Sequence, residues 1–329
     1  MTTATYRASE IDGSDTLSFV AVLVGSTFLM GSSFVAGKIL LQAGLPPLLL
    51  VGSRFLVAAV ATLPIISLCR GGLIANLVPK SASVRDASLV AVIGLLQTTA
   101  VMGALNVAME HISASMAAIL LFTNPLFVAL LGRIFLNETL GPWRMCGLLV
   151  GIAGVTLAIG VNSTRLAGRG TEVGELTGLL SAFCWASATI LAKKGRLPFN
   201  SWSLSFWQMF VGSIAALAFG LATGEEWPKH LSLNHWMWFA WLAVPASTGS
   251  FGLWYLALAK GGATRASGFL FLAPLFAVLL SVLVFKQIPT WMQAAGGLLV
   301  GTAMWLMNRD SLTPYVPMGS RGREAENGS

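Results

Sequence analysis

Charge is what this chain has least of. Asp, Glu, Lys and Arg make up 10% of its 329 residues, where a soluble domain carries about 25%. Hydrophobic residues fill 55% of it and the mean hydropathy is +0.77. Such a chain cannot cover itself with a water-compatible surface, which excludes a soluble globular fold. Cysteine is equally scarce. Cys69, Cys146 and Cys184 all lie in or at the edge of apolar stretches, an odd set that excludes a disulfide framework and leaves small packing residues. No spacing resembles a metal site, and there is no HExxH, P-loop or glycine-rich dinucleotide turn, so neither metal nor cofactor is expected. The first sixteen residues hold Glu10, Asp12 and Asp15 against one base, Arg7. That is the wrong charge for a signal peptide, so the first apolar stretch is expected to be retained.

What is abundant is apolar length. Crossing the hydrocarbon core takes about 20 largely apolar residues, and ten stretches qualify: 17–38, 47–69, 87–109, 113–135, 140–161, 173–193, 202–222, 236–259, 264–285 and 290–307. Eleven Trp and thirty-five Gly suit interfacial belts and close helix contacts. The bases then set the topology. With the N-terminus inside, the cytoplasmic segments carry fourteen Lys and Arg and the opposite side five, Arg54 being left within the second stretch. Both termini are therefore expected in the cytoplasm. The net charge of +7 reports this asymmetry rather than nucleic-acid binding, because the bases are dispersed over short loops.

The chain also repeats itself. Phe122, Pro125, Leu126 and Phe127 return 149 positions on as Phe271, Pro274, Leu275 and Phe276, and Gly147–Gly151 returns letter for letter as Gly297–Gly301. Met30–Lys38 aligns with Trp185–Lys193. The expected fold is an all-α polytopic membrane protein, ten transmembrane helices forming two inverted five-helix repeats. The expected divisions are a cytoplasmic tail 1–16, a first repeat 17–161, a linker 162–171, a second repeat 172–307 and a cytoplasmic tail 308–329. An odd number of spans per unit inverts the second copy, an arrangement that places substrate between the halves near the midplane in many transporters.

These features resemble the drug/metabolite transporters of the EamA type. The resemblance rests on Gly31–Lys38, on Pro47 with Arg54-Phe55, and on the run from Ala104 through Ala118 to Pro125-Leu-Phe127. Glu138, Gly147–Gly154, Trp185-Ala186 with Lys193, and Ala263 to Pro274-Leu-Phe276 complete it. Gln287 departs from the pattern, since an acid is usual there. The resemblance implies a ten-helix alternating-access carrier in a bacterial inner membrane, its cavity lined mainly by helices 1, 3, 4, 6, 8 and 9. Length and aromatic content resemble the amino-acid and metabolite exporters, including aromatic amino-acid exporters of the YddG type.

Candidate substrate-binding residues are the polar and aromatic groups near the centres of the stretches: Ser32, Ser33, Gln97, Thr99, Thr123, Asn124, Trp185, Thr248, Ser250, Trp254, Tyr255 and Phe271. Buried polar groups in a membrane usually face a cavity or a partner helix. Thr248, Gly252 and Tyr255 share a helix face, with Trp254 on a neighbouring stripe, which would give an aromatic wall beside a hydroxyl. The alternative is that each hydroxyl bonds its own helix or a neighbour. Pro125 and Pro274 are matched candidate hinges, because a mid-helix proline frees a carbonyl and kinks the helix; a static bend is the other reading. Lys38 and Lys193 are matched candidate gates, or else snorkel to the two interfaces. Arg54 either bonds neighbouring helices or attracts an anion. The Gly147–Gly151 and Gly297–Gly301 runs are expected to make scaffold contacts between helices 5 and 10, with homodimerisation as the alternative.

Function classes narrow accordingly. No Asp, Glu or His lies in the middle third of any stretch. This disfavours an intramembrane proton relay and a cationic-drug site, although Glu110 and Glu138 at stretch ends leave a proton-coupled exporter of broad specificity open. Sugar phosphates would need central bases. An intramembrane hydrolase built on Ser250 lacks a base at that depth, so no enzyme is expected, and a scaffold would not account for matched prolines. A facilitative exporter of small metabolites remains, amino acids leading and aromatic ones first, with the lipid bilayer as its surroundings.

Overall fold

The computed structural model describes residues 13–69, 71–136, 141–159, 169–195, 197–254, 256–257, 269–270 and 272–309. Every regular element among them is helical. In chain order these are α1 (Gly13–Gln42), α2 (Pro47–Ser67), α3 (Gly72–Leu77), α4 (Val84–Gly94), a π-helical segment (Leu95–Ala100), α5 (Val101–His111), α6 (Ala114–Leu121), α7 (Asn124–Phe135) and α8 (Pro142–Ile159). Then follow α9 (Arg169–Gly195), α10 (Ser201–Ala222), α11 (Leu233–Ala243), a second π-helical segment (Val244–Gly249), α12 (Leu272–Phe285) and α13 (Trp291–Arg309). Six spans are long and apolar enough to cross a bilayer, and shorter apolar helices occur at Met145–Ala158 and Leu272–Phe285. The chain is a polytopic helical membrane protein.

Local chemistry starts and stops these helices. Pro47 opens α2, where its missing N–H costs nothing. Ser83 and Asp86 form a capping box on α4, as Ser232 and His235 do on α11. Gly44 and Gly224 sit beyond the ends of α1 and α10 with φ of 88° and 80°, a conformation that favours glycine at a helix stop. The N-terminus of α2 is capped from afar. Glu225 accepts from the amides of Leu48 and Leu49, the latter at 2.8 Å, setting a carboxylate on the positive end of the helix dipole.

Packing runs between the two halves of the chain. The most extensive contacts pair α8 with α13, α2 with α10, α1 with α12, and α9 with α5 and α7. Close approach depends on small residues. A Cβ on Gly154 would lie 2.9 Å from the Gly296 carbonyl, and one on Gly296 2.5 Å from the Ala158 amide. The predicted helices 5 and 10, here α8 and α13, therefore do meet, at Gly154 and Gly296, and Gly154 also faces Leu299 and Val300 of the second letter-for-letter run. Gly151 faces Leu126, and nothing lies within 4 Å of a Cβ built on Gly301. Similarly, Gly31 lets α1 press on the backbone of Ala273 and Ala277.

The sequence reading missed α3, whose apolar residues are too few to span. Trp207 Nε1 donates to the Leu77 carbonyl at 2.8 Å and Asn200 bonds Asn76 at 2.6 Å, tying α3 to α10. Of the cysteines, Cys184 is buried as expected of a packing residue, whereas Cys146 is exposed on α8.

Candidate functional site

The two π-helical segments organise the centre of the bundle. In the first, the Val101 amide reaches back five residues to the Leu96 carbonyl; in the second, the Ser250 amide reaches the Pro245 carbonyl. A π turn frees carbonyls and reorients side chains, which is why such turns recur at functional sites. Leu95 and Val244 stand 149 positions apart, the interval that separates Pro125 from Pro274.

Their side chains grip neighbouring helices in the same manner. Thr99 Oγ1 donates to the Gly212 carbonyl of α10 at 2.7 Å, and Thr248 Oγ1 donates to the Ala58 carbonyl of α2 at 2.9 Å. Thr98 Oγ1 donates to the Gln208 carbonyl at 3.1 Å, while Ser247 Oγ accepts from Arg54 Nε at 2.9 Å and itself donates to the Leu242 carbonyl at 2.8 Å. Ala58 and Gly212 are 154 positions apart, and so are Arg54 and Gln208, and so are Pro47 and Ser201, which open α2 and α10. The contact positions thus recur at fixed intervals, with the same hydrogen-bond direction at Thr99 and Thr248 and opposite directions at Thr98 and Ser247.

Arg54 is 8% exposed, two turns inside α2, with its guanidinium carbon 4.6 Å above the Phe55 ring centre. Ser247 takes the Nε–H, and the remaining guanidinium donors have no acceptor among the described residues. A buried intramembrane cation with no counter-ion among the described residues is costly and marks function.

The prolines depart from expectation. Pro125 is the second residue of α7, after a break at Phe122-Thr123, and Pro274 is the third residue of α12. Tight i−3 bonds precede both, Thr123 to Leu120 and Ala273 to Leu270, each at 3.1 Å. Each begins a helix instead of kinking one mid-course, since a residue without N–H fits the first turn. Lys38 also differs. It is 8% exposed and does not snorkel; its Nζ donates to the carbonyls of Met109 and Ile112 (the latter at 3.0 Å), closing the C-terminal end of α5 in its own half. Lys193 is exposed at the end of α9.

An aromatic wall that the sequence reading did not single out lies among the described residues. Phe34, Phe122 and Trp185 form a continuous set, with ring centres 6.2 and 6.0 Å apart, joining α1, the α6–α7 break and α9. Met30, Leu96 and Met102 pack beside them. Trp254 instead joins Phe19, Leu23, Ala257 and Phe269 in a separate cluster, because its stripe turns away from the one that carries Thr248. Tyr255 and Phe271 lie outside the described residues. Phe34 and Phe122 were missed as site residues; their signal was position, in the helix 1 run and four residues before Lys38, and three before Pro125.

The other polar candidates divide by their bonds. Ser32 accepts from Trp241 Nε1 at 3.0 Å, linking α1 to α11. Asn124 reaches the Ala182 carbonyl of α9 at 3.5 Å, a weak contact. Ser33, Thr123 and Ser250 bond carbonyls of their own helical segments, at 2.7, 2.6 and 2.9 Å. Half-buried Gln97 lies within the first π segment. Two cavities open nearby. An apolar groove of about 690 Å³ runs between α12 and α13 along Pro274, Gly297 and Gly301. A polar one of about 340 Å³ lies at the Lys38 end of the bundle. The larger is the poorer match to a polar solute, having almost no polar lining.

Comparison with known proteins agrees with this architecture. The sequence profile of the EamA-like transporter family matches residues 17–160 and, a second time, residues 172–309. The chain belongs to the EamA-like transporter family. Among its similar proteins, the uncharacterized transporter YoaV of Bacillus subtilis is 24% identical over 84% of this chain and 92% of its own length. The protein PecM of Dickeya dadantii is 26% identical over 67% and 76%. The WAT1-related protein At3g02690, chloroplastic, of Arabidopsis thaliana is 25% identical over 87% and 68%. A crystal structure of a further protein superposes with a TM-score of 0.59 over 89% of this chain and 97% of its own, at 18% identity, and so shares the fold. Several similar proteins are named uncharacterized transporters, and a membrane transporter is the activity the family supports.

Proposed function

We propose that this membrane transporter is an alternating-access carrier that exports small metabolites, amino acids foremost and aromatic ones first, from the bacterial cytoplasm across the inner membrane. In this reading residues 17–161 and 172–307 are inverted five-helix repeats joined by 162–171, with both termini cytoplasmic. The observation that carries it is the doubled hydroxyl grip: Thr99 on Gly212 and Thr248 on Ala58, at 2.7 and 2.9 Å. Two matched joints related by one repeat interval are what a carrier needs if it opens to either side by the same motion run in opposite senses. Each joint combines a π segment with a proline-started helix in the next span, so half of a span can swing while the rest stays packed.

The solute would lie along Phe34, Phe122 and Trp185, beside Asn124 and Gln97. The guanidinium donors of Arg54 that have no acceptor among the described residues would attract a carboxylate. Trp185 offers an indole N–H with no acceptor among the described residues, suited to holding the polar end of a flat apolar solute.

Flux of radiolabelled phenylalanine in proteoliposomes, with and without an imposed pH gradient, tests the reading. Flux that unlabelled Trp and Met inhibit and that ignores the gradient is the expected result. Flux seen only with the gradient would replace the facilitative step with proton coupling through a group such as Glu110. No flux from folded protein would overturn the amino-acid assignment.

A further inference from the structure

We propose that the polar cavity at the Lys38 end is a docking site for the zwitterionic head of an amino acid, through which the solute passes between water and the aromatic site; this rests on the amino-acid reading above. The cavity of about 340 Å³ is walled by α1, the α5–α6 turn, α9 and the start of α13. That volume lies within the range of about 300–1,000 Å³ usual for small-molecule sites.

One part of the wall is built for a carboxylate. α6 begins there. Ser113 caps it by accepting from the Met116 amide at 3.1 Å, which leaves the Ala114 and Ser115 amides without intrahelical acceptors at the positive end of the helix. Ser115 is 4% exposed and lines the cavity, yet its Oγ has no hydrogen-bond partner among the described residues. A buried unpaired hydroxyl is unfavourable; this Oγ is sealed from solvent in the present rotamer, and a ligand oxygen would satisfy it once the side chain turns into the cavity. Lys38 lines the same cavity. Its ammonium has three donors, of which the Met109 and Ile112 carbonyls take two.

The cavity also holds an anion. Glu175 of α9 lines it, and no ion pair joins Glu175 to Lys38 among the described residues. Opposite charges kept apart in one polar chamber match a ligand that carries both signs itself. Met116, Ile112 and Pro289 supply apolar wall for the side chain of that ligand. A simple carboxylate would leave Glu175 unused, and a simple amine would leave Ser115, the α6 amides and Lys38 unused.

Full-length protein in proteoliposomes gives the test, with Ser115→Ala and Glu175→Gln. Because Ser115 makes no bond, Ser115→Ala should unfold at the same temperature as the parent or higher, yet raise KM for phenylalanine about tenfold at unchanged kcat, the effect of losing one bond to a charged group. Glu175→Gln should raise KM similarly. Inhibition by 3-phenylpropionate should weaken in Ser115→Ala alone, and inhibition by phenethylamine in Glu175→Gln alone. Parent-like KM values in both variants, with the parent active, would overturn this site and leave the carrier assignment standing. If the parent moves no amino acid but 3-phenylpropionate raises its melting temperature in a Ser115-dependent way, the carboxylate half stands and the zwitterion falls with the amino-acid reading. No flux and no such shift would overturn both.

Discussion

Arg54 shows how much a single side chain can be asked to do in a membrane. It donates through Nε to Ser247 and lies over Phe55, a planar and directional arrangement that an ammonium cannot copy. Arg54→Lys should therefore cost about 1.5–3 kcal/mol, the range for a lost hydrogen bond to a charged group, and lower flux with it. Parent-like thermal stability and flux in that variant would rule out both the bridging and the anion-attracting role. Glu225 is the counterpart at a helix end. Its carboxylate holds the Leu48 and Leu49 amides across the boundary between the halves. Glu225→Ala should lose about 1 kcal/mol, as for other helix caps, measured by thermal unfolding in detergent, with Glu225→Asp unable to restore it fully because the shorter side chain does not reach. The sequence marked Arg54 as anomalous because charge is so rare in its stretch. Nothing marked Glu225, since an acid in a polar turn is ordinary until its partner 177 positions away is known.

At the scale of helices, glycine decides which pairs can touch. Gly154→Ala and Gly296→Ala should each destabilise by about 1–3 kcal/mol through overpacking, because each Cβ would fall under 3 Å from backbone of the facing helix. Gly301→Ala should be silent or mildly stabilising, its Cβ meeting nothing within 4 Å. Equal losses at Gly154 and Gly301 in a melting assay would contradict this picture of the α8–α13 crossing. Apolar length made the helices legible, so that predicted 47–69 and 202–222 became Pro47–Ser67 and Ser201–Ala222. Proline made the breaks at Pro125 and Pro274 legible, though as the starts of helices. The π segments were not legible. Pro245 removes one donor within the second, but no residue marks the first, where one extra residue per turn is tolerated because Thr98 and Thr99 find acceptors on α10. The Phe34–Phe122–Trp185 wall was hidden for a similar reason, as its members come from three separate elements and only tertiary packing unites them.

For the whole molecule, the distribution of bases makes a testable statement about sidedness. In a cysteine-free background, Glu226→Cys in the α10–α11 turn should react with an impermeant maleimide added to intact cells. Ser81→Cys in the α3–α4 turn should react only after permeabilisation. Both positions are exposed at the protein's own surface, so the reverse pattern would invert the orientation. The pairing of helices across the halves carries a further consequence, one of timing. α8 rests on α13, α1 on α12 and α2 on α10, so a nascent chain that has inserted its first half holds few finished interfaces. At about 5–20 residues per second, the stretch between α8 and α13 takes on the order of ten seconds to synthesise. For much of that interval Arg54 waits in the membrane without Ser247, and Gly154 without Gly296. A chain stopped after α8 is thus no half-transporter but an unfinished set of helices, dependent on the insertion machinery for shelter until the last span arrives.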